Sequence, residues 1–170
     1  MEKGLIVYQR VLNRGLSRAE YGKLLHNEAH LILEKIAARR FGVECFKMSY
    51  GKYGKPCFEN GGIEFSIAHC EGLVIVAFSS SAVGIDCEKQ DRTINKGVAA
   101  RYMFEGADIF HWTKYEAYGK MTGDGILYSY DKLKDSASFF SHPSIDGYIV
   151  TVCTERETEW EIVDYNSGYK

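Results

Sequence analysis

At 170 residues, with 45% apolar and 14% aromatic content, the chain suits one compact domain or two small halves sharing a core. A formal net charge of −2 argues against a general nucleic-acid binder, which would carry a clear basic excess. No apolar run approaches bilayer length, and Cys45, Cys57, Cys70, Cys87 and Cys153 are odd in number with no C-x-x-C pair, so a cytoplasmic chain with reduced thiols is expected, without a membrane span, disulfide frame or zinc site.

In chain order, residues 3–8 read as a first strand. Ser17-Arg18-Ala19-Glu20 has the form of a capping box, so a helix is predicted to start there. Tyr21, Leu24, Leu25, Ala29, Ile32, Ile36 and Ala37 carry helical spacing to Phe41, with Gly42 as terminator, as one helix or two. Residues 49–62 hold four glycines and a proline and read as a loop containing Lys52 and Lys55; no G-x-x-x-x-G-K-[ST] phosphate loop occurs. Ile63, Phe65 and Ile67 alternate as a half-buried strand. His69-Cys70-Glu71-Gly72 reads as a turn into the apolar run 73–78, and Ser79-Ser80-Ser81 as a hairpin into residues 83–88. Asp91 is a candidate cap for a helix through Phe104, and Gly106 separates it from a helix over 108–121. Strands are expected at 126–130, 137–141, 147–154 and 159–165.

Residues 83–120 carry the chemistry. In Val83-Gly84-Ile85-Asp86-Cys87-Glu88, side chains alternate between faces, so Asp86 and Glu88 project from one side of the strand and repel each other. That pairing is tolerable at a solvated strand end, or where a hard cation sits between the carboxylates. On the following helix, Thr113, Glu116 and Lys120 recur at steps of three and four along one stripe. By itself the Glu116 and Lys120 pair reads as an ordinary surface pair, contributing a few tenths of a kcal/mol.

The order of these pieces resembles the Sfp-type 4′-phosphopantetheinyl transferases. Their pattern runs G-K-P, F-N-x-S-H-S, G-(I/V)-D-(I/V)-E, W-(S/T)-x-K-E-(A/S)-x-x-K and G-x-G. It is similar to Gly54-Lys55-Pro56, Phe65-Ser66-Ile67-Ala68-His69, Gly84-Ile85-Asp86-Cys87-Glu88, Trp112-Thr113-Lys114-Tyr115-Glu116-Ala117-Tyr118-Gly119-Lys120 and Gly123-Asp124-Gly125 here. The C-terminal residues 147–153 look like that family's closing strands.

The resemblance implies an α+β fold of two similar halves in a pseudo-twofold arrangement, here residues 1–80 and 81–170. It implies transfer of the 4′-phosphopantetheine group from coenzyme A to a serine of an acyl or peptidyl carrier protein, with magnesium as cofactor. Asp86, Glu88 and Glu116 would hold the metal, and Glu116 and Lys120 would be catalytic, as base and as neutraliser of the leaving diphosphate charge. Lys55, His69 and Lys114 would contact coenzyme A. A monomer that binds neither nucleic acid nor membrane is expected.

Some positions depart from the family pattern. Tyr115 stands where a lysine usually precedes the glutamate, with Lys114 displaced around the helix by about a hundred degrees. Ala68-His69-Cys70 replaces Ser-His-Ser, Leu31 replaces a phosphate-binding arginine, and the connection from Glu88 to Glu116 is short. The alternative is therefore a catalytically degenerate relative acting as a coenzyme A, nucleotide or carrier-protein binding module.

Overall fold

The computed structural model describes residues 1–125 and 130–169. Strand β1 (Glu2–Arg10) leads into a single uninterrupted helix α1 (Arg18–Phe41). Its start is fixed locally: Ser17 and Glu20 exchange the two hydrogen bonds of a capping box. Its end is fixed by Gly42, whose φ of 66° is a left-handed conformation that favours glycine. Between these stops Tyr21, Leu25, Ala29, Ile32, Leu33 and Ile36 bury one stripe, with no break that would divide the helix.

The glycine-rich stretch after α1 is not all loop. Strands β2 (Met48–Tyr50) and β3 (Pro56–Phe58) pair antiparallel, leaving Lys52 and Tyr53 in the turn between them. Packing decides this against the local turn chemistry, because Phe58 is buried with its ring 4.8 Å from that of Phe65.

Strands β4 (Glu64–Cys70) and β5 (Leu73–Ser79) follow as a hairpin. His69 and Cys70 therefore belong to the strand, and only Glu71 and Gly72 form the turn, with Gly72 at φ 87°. The serine run does not fold the next strand back onto β5, as the sequence suggested. β5 already has β1 on one edge and β4 on the other, so β6 (Val83–Lys89) crosses to a second sheet.

Helix α2 (Lys96–Tyr102) is capped by Asn95 rather than Asp91, the amide oxygen accepting from Gly97 N at 2.8 Å. Helix α3 (Ile109–Thr122) starts at Asp108, which exchanges capping bonds with His111, and ends at Gly123. Of the strand expected at 126–130, residues 126–129 lie outside the described residues, and Tyr130 opens a short helix, α4 (Tyr130–Lys134). β7 (Phe139–Ser141), β8 (Tyr148–Thr154), β9 (Thr158–Asp164) and a terminal turn of helix, α5 (Tyr165–Gly168), complete the chain.

The first sheet has the order β4-β5-β1-β9, with β9 parallel to β1, and the second has the order β6-β8-β7. Helix α1 covers one face of the first sheet through Leu25, Ile32, Ile36, Val74 and Phe78. The opposite face meets the second sheet, where Ile6, Ile75 and Ala77 pack with Val83, Ile85 and Val152. This explains the unbroken apolar run of β5, which is buried on both faces. Helix α3 closes the far side of the second sheet through Tyr115, Ala117 and Met121. Among the described residues, no helix is long and apolar enough to cross a membrane.

Candidate active site between strand β6 and helix α3

The alternation of β6 sorts its residues by face. Val83, Ile85 and Cys87 enter the core between the sheets, which leaves Gly84, Asp86 and Glu88 on the side covered by α3. Gly84 sets the closeness of that cover. A Cβ there would overlap the Ala117 carbonyl oxygen and the Met121 amide nitrogen of α3, so helix and strand touch backbone to backbone. The turn after α3 is held just as closely: a Cβ at Gly119 would overlap the Gly125 carbonyl, whose carbon would lie 2.8 Å away.

This close approach brings an acid and a base from different elements into contact. Lys120 Nζ donates to Asp86 Oδ1 at 2.7 Å, while Asp86 Oδ2 is buried without a hydrogen-bond partner. Asp86 and Glu88 are 7% and 8% exposed, low values for carboxylates. Glu88 is held by the Arg92 guanidinium, four residues on, just beyond the strand. Glu116, one helical turn before Lys120, is partly buried on the same stripe.

The electrostatics follow from burial and mutual repulsion. Burial pushes the Glu116 carboxyl up to about 7, with further repulsion from Asp86 and Glu88 and opposition from Lys120. Burial also raises Asp86 against the pull of Lys120, and raises Glu88 against the pull of Arg92. Burial disfavours the charged ammonium of Lys120, but the neighbouring carboxylates, Asp86 first, outweigh it and raise its pKa. The three acids thus feel one another's charge, and the lysine lies among them.

A stability prediction follows. Glu116 has an ordinary value of 4.5 and a folded value of about 7, so between those pH values the folded state binds a proton that the unfolded state has lost. Stability should fall as pH rises from 4.5 to about 7, and the loss should be complete above that. Urea denaturation of the metal-free protein across this range, compared with Glu116→Gln, checks it: the variant should lose part of the slope.

The remaining sequence candidates are distributed as follows. His69, on the edge strand β4, has its pKa lowered by burial and then by the charges of Lys120 and His26, so it belongs to the same electrostatic neighbourhood. Lys55 is half-buried at the end of α3, where its ammonium donates to Met121 O at 2.9 Å and lies 3.8 Å from Glu64. A cation there complements the helix C-terminus. Lys55→Met should therefore cost about 1–2 kcal/mol of stability without any ligand, measurable by urea denaturation. Lys114 stands apart from the acids, with its ammonium 4.7 Å from the Phe140 ring centroid and 5.8 Å from that of Phe110.

Tyr115, the residue in place of a motif lysine, is 1% exposed and packs with Tyr118, Met121 and Leu133 behind α3. Two further residues were not singled out in the sequence. Ser66 Oγ accepts from Ile85 N at 3.0 Å and ties β4 to β6 beside Asp86. Arg92 closes over Glu88; a spacing of four is a helical signal, and the residues here are a strand end and turn, so no sequence pattern pairs them.

Two cavities flank the acids. One of about 240 Å³ lies between the β2–β3 turn and the end of α3, with Tyr53, Lys55, Phe65, Ser66 and Lys120 on its walls. The other, about 560 Å³, is polar and lined by Arg18, His69, Glu88, Lys89 and Arg92. Among the described residues, no three His, Cys, Asp or Glu side chains already converge on a metal position. The donor chemistry nonetheless fits a hard divalent cation, since Asp86, Glu88 and Glu116 offer carboxylate oxygens and Asp86 Oδ2 is unused. Lys120 and Arg92 hold two of those acids by their own positive charge.

No protein-family model matches the chain. Over 142 residues, 73% of its length, it is 30% identical to the 4′-phosphopantetheinyl transferase ffp of Bacillus subtilis. Over 114 residues, 56% of its length, it is 27% identical to the 4′-phosphopantetheinyl transferase Sfp of Bacillus subtilis strain 168. The matched stretches cover 60% and 50% of those proteins' own lengths. These two distant homologues support placing the chain with the Sfp-type 4′-phosphopantetheinyl transferase superfamily.

Proposed function

We propose that this protein transfers the 4′-phosphopantetheine group of coenzyme A to a serine hydroxyl of an acyl or peptidyl carrier protein, in a magnesium-dependent reaction. The observation that carries this reading is the contact of Lys120 with Asp86, which joins the two motif-bearing elements into one charged site containing Glu88 and Glu116. Asp86, Glu88 and Glu116 would hold the cation, which when bound supplies positive charge to the diphosphate. We assign the protein to the cytoplasm as a monomer, its halves 1–80 and 81–170 related by a pseudo-twofold. Supporting that last point, β1-α1-β4-β5 and β6-α3-β7-β8 give matching strand orders, β4-β5-β1 and β7-β8-β6.

In this mechanism the serine oxygen forms a bond to the β-phosphorus of coenzyme A. The bond from that phosphorus to the oxygen bridging the α-phosphate breaks, and adenosine 3′,5′-bisphosphate leaves with the electron pair. Glu116, which as a ligand of the cation would be deprotonated at neutral pH, accepts the serine proton directly or through a water. Lys120 has four methylenes of reach and a raised pKa, so it stays charged and can turn from Asp86 toward the leaving phosphate. His69 and Lys55 would meet the nucleotide end of coenzyme A. Lys114, over the aromatic rings of Phe110 and Phe140, would contact the ligand only by leaving them.

The test is the intact mass of a panel of apo carrier proteins incubated with the protein, coenzyme A and magnesium. A phosphopantetheine mass increment that chelator abolishes supports the reading, and no increment on any carrier overturns it. The second reading, a binding module without turnover, is favoured by Tyr115, whose burial in the core puts an apolar ring where a motif cation would stand. It predicts magnesium-dependent coenzyme A binding by calorimetry with no mass increment.

A further inference from the structure

Arg92 lies at the boundary between the acids and the polar cavity, and its contacts carry more than the transferase reading uses. Its guanidinium closes on Glu88, whose side chain is 11% exposed, while that of Arg92 is 55% exposed. The arginine therefore reaches inward from solvent to a carboxylate that has little other access to charge compensation. Glu88 is raised by burial and pulled back chiefly by the Arg92 bond. On its other side Arg92 borders the 560 Å³ cavity shared with Arg18, His69 and Lys89. Of the acids there, Glu71 is already paired with Lys89 at 3.1 Å, and Asp91 sits at the lip beside Arg92.

We infer that Arg92 is a charge-exchange residue: it neutralises Glu88 while the cation is absent, and moves to a phosphate of the ligand when the cation takes Glu88. This rests on the transferase reading, and it adds an ordered coupling between metal and ligand that neither motif nor family pattern contains. The physical basis is competition for one carboxylate. Glu88 Oε1 cannot be fully shared by a guanidinium and a divalent cation, so each weakens the other's hold. In that cavity Arg18 and Lys89 face Glu71 and Asp91, so once the cation has taken Glu88 the released Arg92 is a positive charge in excess, which a phosphate can satisfy, and its planar fork suits phosphate oxygens. Metal binding and ligand binding should then favour each other, with the same factor read from either side.

The experiment compares wild type, Arg92→Gln and Arg92→Lys, using Mn2+ binding by electron paramagnetic resonance without ligand and coenzyme A binding by calorimetry at saturating Mn2+. With Arg92→Gln, Mn2+ affinity without ligand should rise about three- to tenfold, because the competitor is gone. Coenzyme A affinity should fall about tenfold, because the released cation is missing. Arg92→Lys should lie between the two on both measurements. Unchanged Mn2+ affinity in Arg92→Gln, or a loss of it, overturns the inference; loss would make Arg92 a support that orients Glu88. A wild type that binds neither Mn2+ nor coenzyme A overturns the transferase reading itself. Thermal unfolding of Arg92→Gln verifies that the fold persists, and Glu88→Gln, which removes the partner instead, should abolish the Mn2+ gain on adding Arg92→Gln.

Discussion

Gly84→Ala is expected to be the most damaging single methyl in this protein. The added carbon would overlap the carbonyl oxygen of Ala117 and the amide nitrogen of Met121, backbone atoms in the middle of a capped helix that cannot rotate away as a side chain would. Helix α3 must then lift off β6, which opens the packing of Tyr115, Ala117 and Met121 and separates Lys120 from Asp86. The cost should be about 3 kcal/mol or more, at the upper end of overpacking effects, and it should appear as a large drop in the urea midpoint. Gly22→Ala is the internal control. It lies within α1 with nothing near the added carbon, and should stabilise by about 0.5–1 kcal/mol through helix propensity. Equal effects of the two substitutions would refute the close approach of α3 to β6.

Glu116→Gln should separate chemistry from folding. The amide keeps the volume of the acid and removes a charge that burial and Asp86 both disfavour, so the metal-free variant should be no less stable than wild type above pH 7. Turnover should nevertheless fall by about a hundredfold to ten-thousandfold, the usual range for loss of a general base, and more if a metal ligand goes with it. Rates of holo carrier formation by mass spectrometry, with Mn2+ affinity measured in parallel, check both parts. A stable variant with full turnover would remove Glu116 from the reaction. A variant that keeps Mn2+ affinity but loses turnover would assign Glu116 to the serine proton alone.

The sequence was legible where the signal is local. The Ser17 and Glu20 box and Gly42 bracket α1 by hydrogen bonds within a few residues, so its ends could be read directly, while the Asp108 cap of α3 and the continuity of α1 came from the structure. The period of two in 83–88 fixed which β6 residues share a face, and with it the partnership of Asp86 and Glu88. Misreadings arose where a distant partner outweighs local chemistry. Phe58 against Phe65 makes strands of a glycine-rich loop, and the occupied edges of β5 turn an apparent hairpin into a crossover between sheets.

The site divides in the same way. Strand and helix periods alone place Asp86, Glu88, Glu116 and Lys120 on defined faces of their elements before any packing is known. Contacts between elements are what make Tyr115 a core ring, bring Lys55 to the end of α3, lay Lys114 over Phe110 and Phe140, and pair Arg92 with Glu88. The reason is physical. Spacing along the chain fixes the direction of a side chain from its own element, whereas its partner, its burial and its pKa depend on how closely another element approaches, here set by a glycine with no Cβ.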